Sequence, residues 1–305
     1  MKAVIDLGSN TFNLLIAEIK NGQLNPAVNL EFPVKIGLGG MVSNTITDAA
    51  MQRAITALTQ FKSYIDGLGI TDIKALATSA IRNASNGSVL VNRIKELLGI
   101  DISIIDGNEE ALYVYNGASK SFKLPEDEIL VMDIGGGSVE FIIGRHQSVH
   151  WQQSFDLGAV RLIEKFCPQN PPTTAEIQNI KEYILNELEP LKKAIKYYPL
   201  KVLIGTAGSF ETLVDVVIND LHVIPISLTK NAFEIHIKEF EMFNELILTS
   251  TIEQRLKLKG MVDFRAEYIS IATILIETII EIADIKKLIC SNYAMKEGAI
   301  YSMYN

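Results

Sequence analysis

The chain has 305 residues, of which 48% are hydrophobic and 21% charged, and its net charge is −8. This length and composition predict two domains with substantial cores and exclude wholesale disorder. The negative charge argues against general binding to nucleic acid or anionic membranes, and Cys167 and Cys290 are too few for a disulfide framework or a thiolate zinc site. No signal-peptide core or membrane span is evident in the sequence, so we expect a soluble cytoplasmic protein.

A strand–turn–strand pattern occurs near the start of each half of the chain. Residues 3–16 read AVIDLGSNTFNLLI, and residues 130–143 read LVMDIGGGSVEFII. Each copy is an apolar run that ends in Asp, followed by a small-residue turn and a second apolar run, which predicts a β-hairpin. The alignment pairs Asp6 with Asp133, Gly8 with Gly135, and Thr11 with Ser138.

The remaining segments alternate between helical periodicity and short apolar runs, which is typical of an α/β fold. We predict domains 1–124 and 125–305 with a cleft between them, and the final helix, 293–305, is a candidate to pack back on the first domain. The predicted helices are 47–68, 88–98, 109–121, 175–197, 210–218, 264–283 and the final one, and the predicted strands are 73–77, 102–105, 148–155, 201–204 and 287–290.

The turns of the two hairpins are candidate phosphate-binding loops. Glycines allow positive φ and expose consecutive backbone N–H groups, which suit phosphate oxygens. One such turn alone could equally be a hairpin turn without a ligand, but two matched turns facing one cleft favour phosphate binding. The residues concerned are Ser9, Asn10 and Thr11 in the first copy and Gly135, Gly136, Gly137 and Ser138 in the second.

Two further segments could contact an anion. Gly205, Thr206 and Gly208 lie in a turn that opens a helix, and a helix N-terminus is a natural anion site, although any strand-to-helix turn favours small residues. Arg82 follows a strand and could clamp a phosphate with its fork of donors, although an arginine in a loop is usually only solvated.

Acidic residues beside these turns could hold Mg²⁺ or Mn²⁺. Asp6, Asp133 and Glu140 supply carboxylates, which such ions bind together with water and phosphate oxygens. The alternative for the two aspartates is that each caps the turn at the end of its own strand. Glu109 and Glu110 occupy the first turn of a predicted helix, where the helix dipole alone would favour them. The alternative is that one of them orients or deprotonates a water molecule.

Seven segments together resemble the exopolyphosphatase and guanosine pentaphosphate phosphohydrolase family. The resemblance implies an α/β fold of two ribonuclease-H-like (actin-like ATPase) domains flanking a cleft in which a terminal phosphoanhydride is hydrolysed. The segments run in the family's order from residue 3 to residue 300: AVIDLGSNTFNLLIAEI, ATSAIRNASN, IDGNEEA, VMDIGGGSVEFIIG, IGTAGSFETL, RAEYI and SNYAMKEGAI.

The resemblance also implies residue roles and substrates. Glu110 matches the family's catalytic glutamate, Asp133 and Glu140 match its Mg²⁺-associated acids, and Arg82 matches its phosphate-contacting arginine. The implied substrate is inorganic polyphosphate or guanosine pentaphosphate (pppGpp), and a homodimer is compatible with the resemblance. The segments 9–11 and 135–138 match the phosphate loops, and 205–208 matches the adenosine loop of the actin fold.

The chain departs from the family pattern in two places, and, separately, two other functions remain open. The chain has Arg265-Ala-Glu267 where the family often has RAD, and we expect it to lack the added C-terminal helical domain of longer members. An actin-fold kinase that uses ATP, or a non-catalytic protein that binds polyphosphate or a guanosine alarmone, would need the same phosphate loops.

Overall fold

The computed structural model describes residues 1–41, 43–146 and 148–304, and the first third of the chain builds one β-sheet with its helices. The elements are β1 (Lys2–Leu7), β2 (Phe12–Lys20), β3 (Gln23–Phe32), α1 (Asp48–Gly67), β4 (Ile73–Ala77), α2 (Ser79–Asn83), α3 (Gly87–Leu98), β5 (Ile102–Ile104) and α4 (Gly107–Ser121). Thr47 begins α1 by accepting a hydrogen bond from the Ala50 amide, and Gly99, whose φ is 67°, ends α3.

The rest of the chain builds a second sheet and returns to the first in its final helix. No helix of the described residues is both long and apolar enough to cross a membrane. The elements are β6 (Ile129–Ile134), β7 (Val139–Arg145), β8 (Ser148–Phe155), α5 (Ala159–Phe166), α6 (Thr174–Glu187), α7 (Glu189–Ile195), β9 (Val202–Thr206), α8 (Gly208–Asn219), β10 (Ile226–Thr229), β11 (Ala232–Ile235), α9 (Ile237–Thr249), α10 (Ile252–Arg255), α11 (Ile269–Ile282), β12 (Lys287–Ser291) and α12 (Met295–Ser302).

The two sheets share one strand order. The first is β3-β2-β1-β4-β5, and the second contains the same order as β8-β7-β6-β9-β12, extended at one edge by β11 and β10. In both sheets three antiparallel strands are followed by two parallel ones. The prediction of an α/β fold with two ribonuclease-H-like halves is therefore confirmed, and the repeat seen in the hairpins extends to the whole sheet.

Helices α4 and α12 pack together between the two sheets. A Cβ on Gly298 of α12 would lie 1.8 Å from the Tyr113 carbonyl oxygen of α4, so only glycine permits this approach. Buried side chains of both helices share one core with Val4 of β1 and Val131 of β6. The last helix thus packs on elements of the first 124 residues. Asn305 lies outside the described residues, and the division at residue 124 stays a prediction.

The structure differs from the predicted elements in several places: α2, α5, α9, α10, β10 and β11 were not predicted, and three further differences concern longer segments. The predicted helix 175–197 is wrong, because the chain forms α6 and α7 with Pro190 in the first turn of α7, where its missing N–H costs nothing. The predicted helix 264–283 begins as a 3₁₀ turn, Asp263–Arg265, before α11. Strand β3 was not predicted; it carries Pro26 next to a register shift in its pairing with β2, where Ala27 is skipped, and both features break the strand pattern.

Candidate active site

The two predicted hairpin turns have the same backbone geometry. The Gly8 amide donates to the Thr11 carbonyl at 3.1 Å, and the Gly135 amide donates to the Ser138 carbonyl at 3.0 Å. Each turn joins the first two antiparallel strands of its sheet, β1–β2 in one case and β6–β7 in the other. The two segments that are similar in sequence therefore also have the same local structure.

The tips of these two turns meet. A Cβ on Gly136 would lie 3.2 Å from the Cβ atoms of Ser9 and Asn10, and a Cβ on Gly137 would lie 2.6 Å from the hydroxyl oxygens of Ser9 and Ser79. Both turns line a single cleft of about 370 Å³ between the sheets. The glycines are needed here because the opposite turn fills the space that a side chain would occupy.

Strand pairing brings polar side chains in rows to the floor of this cleft. In the first sheet, Asp6 of β1 lies opposite Asn13 of β2, which lies opposite Glu31 of β3. In the second sheet, Asp133 of β6 lies opposite Glu140 of β7. Residues directly opposite in antiparallel strands point to the same face with their Cβ atoms roughly 5 Å apart, so each row presents its polar groups together.

Hydrogen bonds orient the carboxylates of both rows. The Asn13 side-chain amide donates to Asp6 Oδ2 at 3.1 Å. The Ser154 hydroxyl donates to Glu140 Oε1 at 2.7 Å, and Ser154 is the register partner of Glu140 on β8. The two rows differ in where the second carboxylate lies: the position of Asn13 in the first hairpin is Glu140 in the second, and the first row has its second carboxylate at Glu31.

Glu110 faces the same cleft from the first turn of α4. Asp106 caps this helix by accepting hydrogen bonds from the Asn108 and Glu109 amides. Arg82 lies behind Glu110: its Nη1 donates to Glu110 Oε2 at 2.8 Å and to the Ile105 carbonyl at 3.0 Å. Among the described residues Glu110 Oε1 has no hydrogen-bond partner, so one carboxylate oxygen is held and the other is available.

Burial of these four acids raises their pKa values. Burial raises the pKa of Asp6 to about 6 and, with the nearby Glu110 and Asp6 carboxyls, that of Asp133 to about 7. Burial and the Asp133 carboxyl raise the pKa of Glu140 to about 7. Burial and Glu140 also raise the pKa of Glu110 well above its ordinary value, against the opposing effect of Arg82. Ionising these neighbouring carboxyls is therefore unfavourable in the folded chain, and a bound cation would favour their charged forms.

The oxygen atoms in the cleft are suitable ligands for a hard divalent cation that keeps part of its water shell. Asp6, Asp133 and Glu140 offer carboxylate oxygens, and the buried Asn10 Oδ1 has no hydrogen-bond partner among the described residues. No three His, Cys, Asp or Glu side chains of the described residues are grouped closely enough to hold a metal by themselves. Mg²⁺ commonly uses only one or two carboxylates together with water and substrate phosphates, so the residues fit this ion.

Most of the predicted site residues line the cleft, and three do not. Arg82 reaches the site only through Glu110. Gly205 lies beneath the ring of Phe210, 2.1 Å from where its Cβ would be, and Thr206 is fully buried beside Asp133. The predicted residues that line the cleft are Asp6, Ser9, Asn10, Thr11, Glu110, Asp133, Gly135, Gly136, Gly137, Ser138, Glu140 and Gly208.

The structure adds charged residues that sequence reasoning missed. Arg265 Nη2 donates to Glu31 of the first sheet at 2.7 and 2.9 Å, while its Nη1 donates to the Gly208 carbonyl at 3.0 Å and lies 3.4 Å from Glu211. Lys296, at the start of α12, also lines the cleft. Arg265 and Lys296 lie in two of the segments that resemble the family, and this resemblance could have marked them as site residues. No sequence feature marked Glu31, because its strand was not predicted.

The chain is similar in sequence to known proteins of one family. The profile of the Ppx/GppA phosphatase family matches residues 15–305. A guanosine-5′-triphosphate,3′-diphosphate pyrophosphatase of Vibrio atlanticus is 26% identical over 303 residues, which are 99% of this chain and 59% of that protein. The chain thus spans about three fifths of the length of this curated relative.

Two solved structures are similar over nearly their whole length. An exopolyphosphatase from Cytophaga hutchinsonii is 36% identical, with 99% of this chain and 96% of that chain covered and a TM-score of 0.94. The Aquifex aeolicus PPX-GPPA enzyme is 28% identical, with 98% of each chain covered and a TM-score of 0.81.

Proposed function

Because the chain belongs to the Ppx/GppA phosphatase family, we propose that it hydrolyses the terminal phosphoanhydride of inorganic polyphosphate, of guanosine pentaphosphate, or of both. The observation that carries this proposal is the contact between the turns 8–11 and 135–138 in a cleft that Glu110 also lines. The names of the similar proteins, an exopolyphosphatase and a guanosine pyrophosphatase, support the same class of substrate.

The two turns would hold the terminal phosphoryl group between them. This group passes through a transition state whose charge is spread over its three outer oxygens, and fixed donors aimed at those oxygens lower the barrier. Backbone N–H groups of the glycine turn and the hydroxyls of Ser9, Thr11 and Ser138 are such donors. Their positions are set by strand pairing in two different sheets, so the binding site is complete only where the turns meet.

Glu110 would position the attacking water molecule and accept its proton. Arg82 fixes one oxygen of the carboxylate at 2.8 Å, which leaves Oε1 to contact water. The proton passes from the water to Glu110 as the water oxygen bonds to phosphorus and the bond to the leaving phosphate oxygen breaks. No covalent intermediate with the protein is required.

Asp133, Glu140 and Asp6 would hold Mg²⁺ or Mn²⁺ in this cleft. When bound, the ion would supply positive charge that offsets the phosphoryl oxygens. The chain's own contribution is to bury these three carboxylates and to orient two of them through Asn13 and Ser154.

The test is phosphate release by the wild-type chain and by Glu110→Gln, measured with Mg²⁺ on polyphosphates of several lengths and on pppGpp. Loss of a general base lowers kcat by roughly 10²–10⁴, and we expect a decrease in this range. Glu109→Gln is the matched control, because Glu109 is exposed in the same helical turn and should leave kcat unchanged.

Each outcome has a defined meaning. Near-wild-type turnover of Glu110→Gln would remove Glu110 from the mechanism. Transfer of phosphate from ATP to a sugar or another small acceptor would identify a kinase instead. Tight binding of polyphosphate or pppGpp without phosphate release would identify a binding protein.

A further inference from the structure

Lys296 is a mostly buried lysine whose ammonium group donates no hydrogen bond to any residue that the structure describes. It occupies the first turn of α12, its side chain is 17% exposed, and its nearest acidic oxygen is Glu297 Oε1 at 3.4 Å. Among the described residues its Nζ donates no hydrogen bond, whereas an ammonium group offers three donors. A buried cation with unused donors requires acceptors from water or from a ligand.

The carboxylates around Lys296 already have other partners. Burial by itself would lower the pKa of Lys296, but Glu297, Glu211, Asp6 and Glu31 together raise it, so the side chain stays charged. Arg265 holds both Glu31 and Glu211. The Asn13 amide donates to Asp6, and the Ala294 amide donates to Glu297 at 2.9 Å. The neighbouring acids therefore hold Lys296 protonated without using its hydrogen-bonding capacity.

Of the basic side chains in the described cleft wall, Lys296 is the one that donates no hydrogen bond to the protein. Arg265 and Lys296 are the two basic side chains that line the cleft in the described part of the chain. Arg265 already donates hydrogen bonds to the Gly208 carbonyl and to Glu31. Lys296 further lines an adjoining cavity of about 430 Å³, which shares Asn29 and Glu211 with the cleft. The ammonium group is therefore reachable by a ligand in either space.

We propose that Lys296 binds a phosphate oxygen of the substrate directly and is the principal side-chain cation for the phosphate chain in this cleft. This inference rests on the proposed function for the identity of the substrate. Its geometry does not depend on turnover: the three ammonium donors of Lys296 match a tetrahedral oxyanion. The other basic side chain of the described cleft wall, Arg265, already donates through both Nη1 and Nη2 and keeps only its Nε–H without a partner.

The experiment measures binding of imidodiphosphate, a phosphate chain that is not hydrolysed, by calorimetry at fixed Mg²⁺. A charged hydrogen bond lost on Lys296→Met should raise Kd roughly 10- to 100-fold, while Lys296→Arg should recover most of the affinity. Lys74→Met is the matched control, because Lys74 also contacts α12, through Ser302 at 3.1 Å, but does not line the cleft.

Unchanged affinity in a folded Lys296→Met variant overturns the proposal, as does a wild-type chain that does not bind imidodiphosphate. If the variant does not fold, NMR of the wild-type protein tests the proposal instead. The Nζ resonance of Lys296 should shift on titration with imidodiphosphate, and a resonance that does not shift overturns the proposal. Failure of the proposed function is separate, since it appears as binding without phosphate release.

Discussion

Asp133→Asn should stabilise the folded chain in the absence of divalent cations. Asp133 is buried beside Glu140, Glu110 and Asp6, and burial raises its pKa from 3.8 to about 7. At about 1.4 kcal/mol for each pKa unit, ionising this carboxyl in the folded state costs about 4 kcal/mol. Asparagine keeps the shape of the side chain and removes the charge, so the variant avoids this cost.

The effect of Asp133 should depend on pH in a defined direction. Because its pKa is higher in the folded than in the unfolded chain, the folded state binds the extra proton between about pH 4 and pH 7. The free energy of unfolding of the wild-type chain therefore falls as pH rises through this window, and the full cost is present above it. The advantage of the variant should grow by about 3 kcal/mol between pH 5 and pH 8.

Urea unfolding in EDTA at pH 5 and pH 8 measures this difference. Asp101→Asn is the control, because Asp101 is 78% exposed and its replacement should show no comparable pH dependence. If Asp133→Asn is no more stable than the wild-type chain at pH 8, the reasoning that this carboxylate is destabilised by its surroundings is refuted.

The remaining predictions concern the metal and the contact between the turns. Excess EDTA should reduce phosphate release to background and Mg²⁺ should restore it, whereas persistent hydrolysis in EDTA would argue against a metal requirement. Mg²⁺ at 100 times its Kd should stabilise the wild-type chain by about 2.7 kcal/mol in thermal or urea unfolding, and Asp133→Asn should lose much of this gain. Gly137→Ala should lower the free energy of unfolding by about 1–3 kcal/mol and reduce phosphate release, because its Cβ would overlap Ser9 and Ser79. The control Gly67→Ala has open space around its Cβ within α1, so it should not lower the free energy of unfolding and should leave phosphate release unchanged.

Strong local patterns were enough to predict much of the fold. The apolar runs on either side of the small-residue turns predicted both hairpins, and strand 148–155 has the predicted bounds. Hydrophobic periodicity placed both ends of α1 within one residue. These features depend on interactions between near neighbours in the chain, which an amino-acid pattern records directly.

Weaker local patterns led to the errors. Strand β3 contains Pro26 and several exposed polar positions, and its pairing with β2 requires a register shift, so nothing in its own sequence marks it as a strand. Pro190 divides a stretch that is otherwise continuously helical in pattern. The omission of β3 also hid Glu31, which reaches the cleft only through the register of β3 with Asn13.

The amino-acid sequence by itself determined the repeated hairpins, the α/β class and the small set of acids and glycines near the turns, because each depends on a short segment. Tertiary structure decided which of those residues share a cleft: it joined the tips at Ser9 and Gly137, put Arg82 behind Glu110, and moved Thr206 out of the cleft wall. It also brought Lys296, near the end of the chain, into the cleft wall. Such contacts join residues far apart in sequence through sheet register and helix packing, and no local pattern encodes the distance between them.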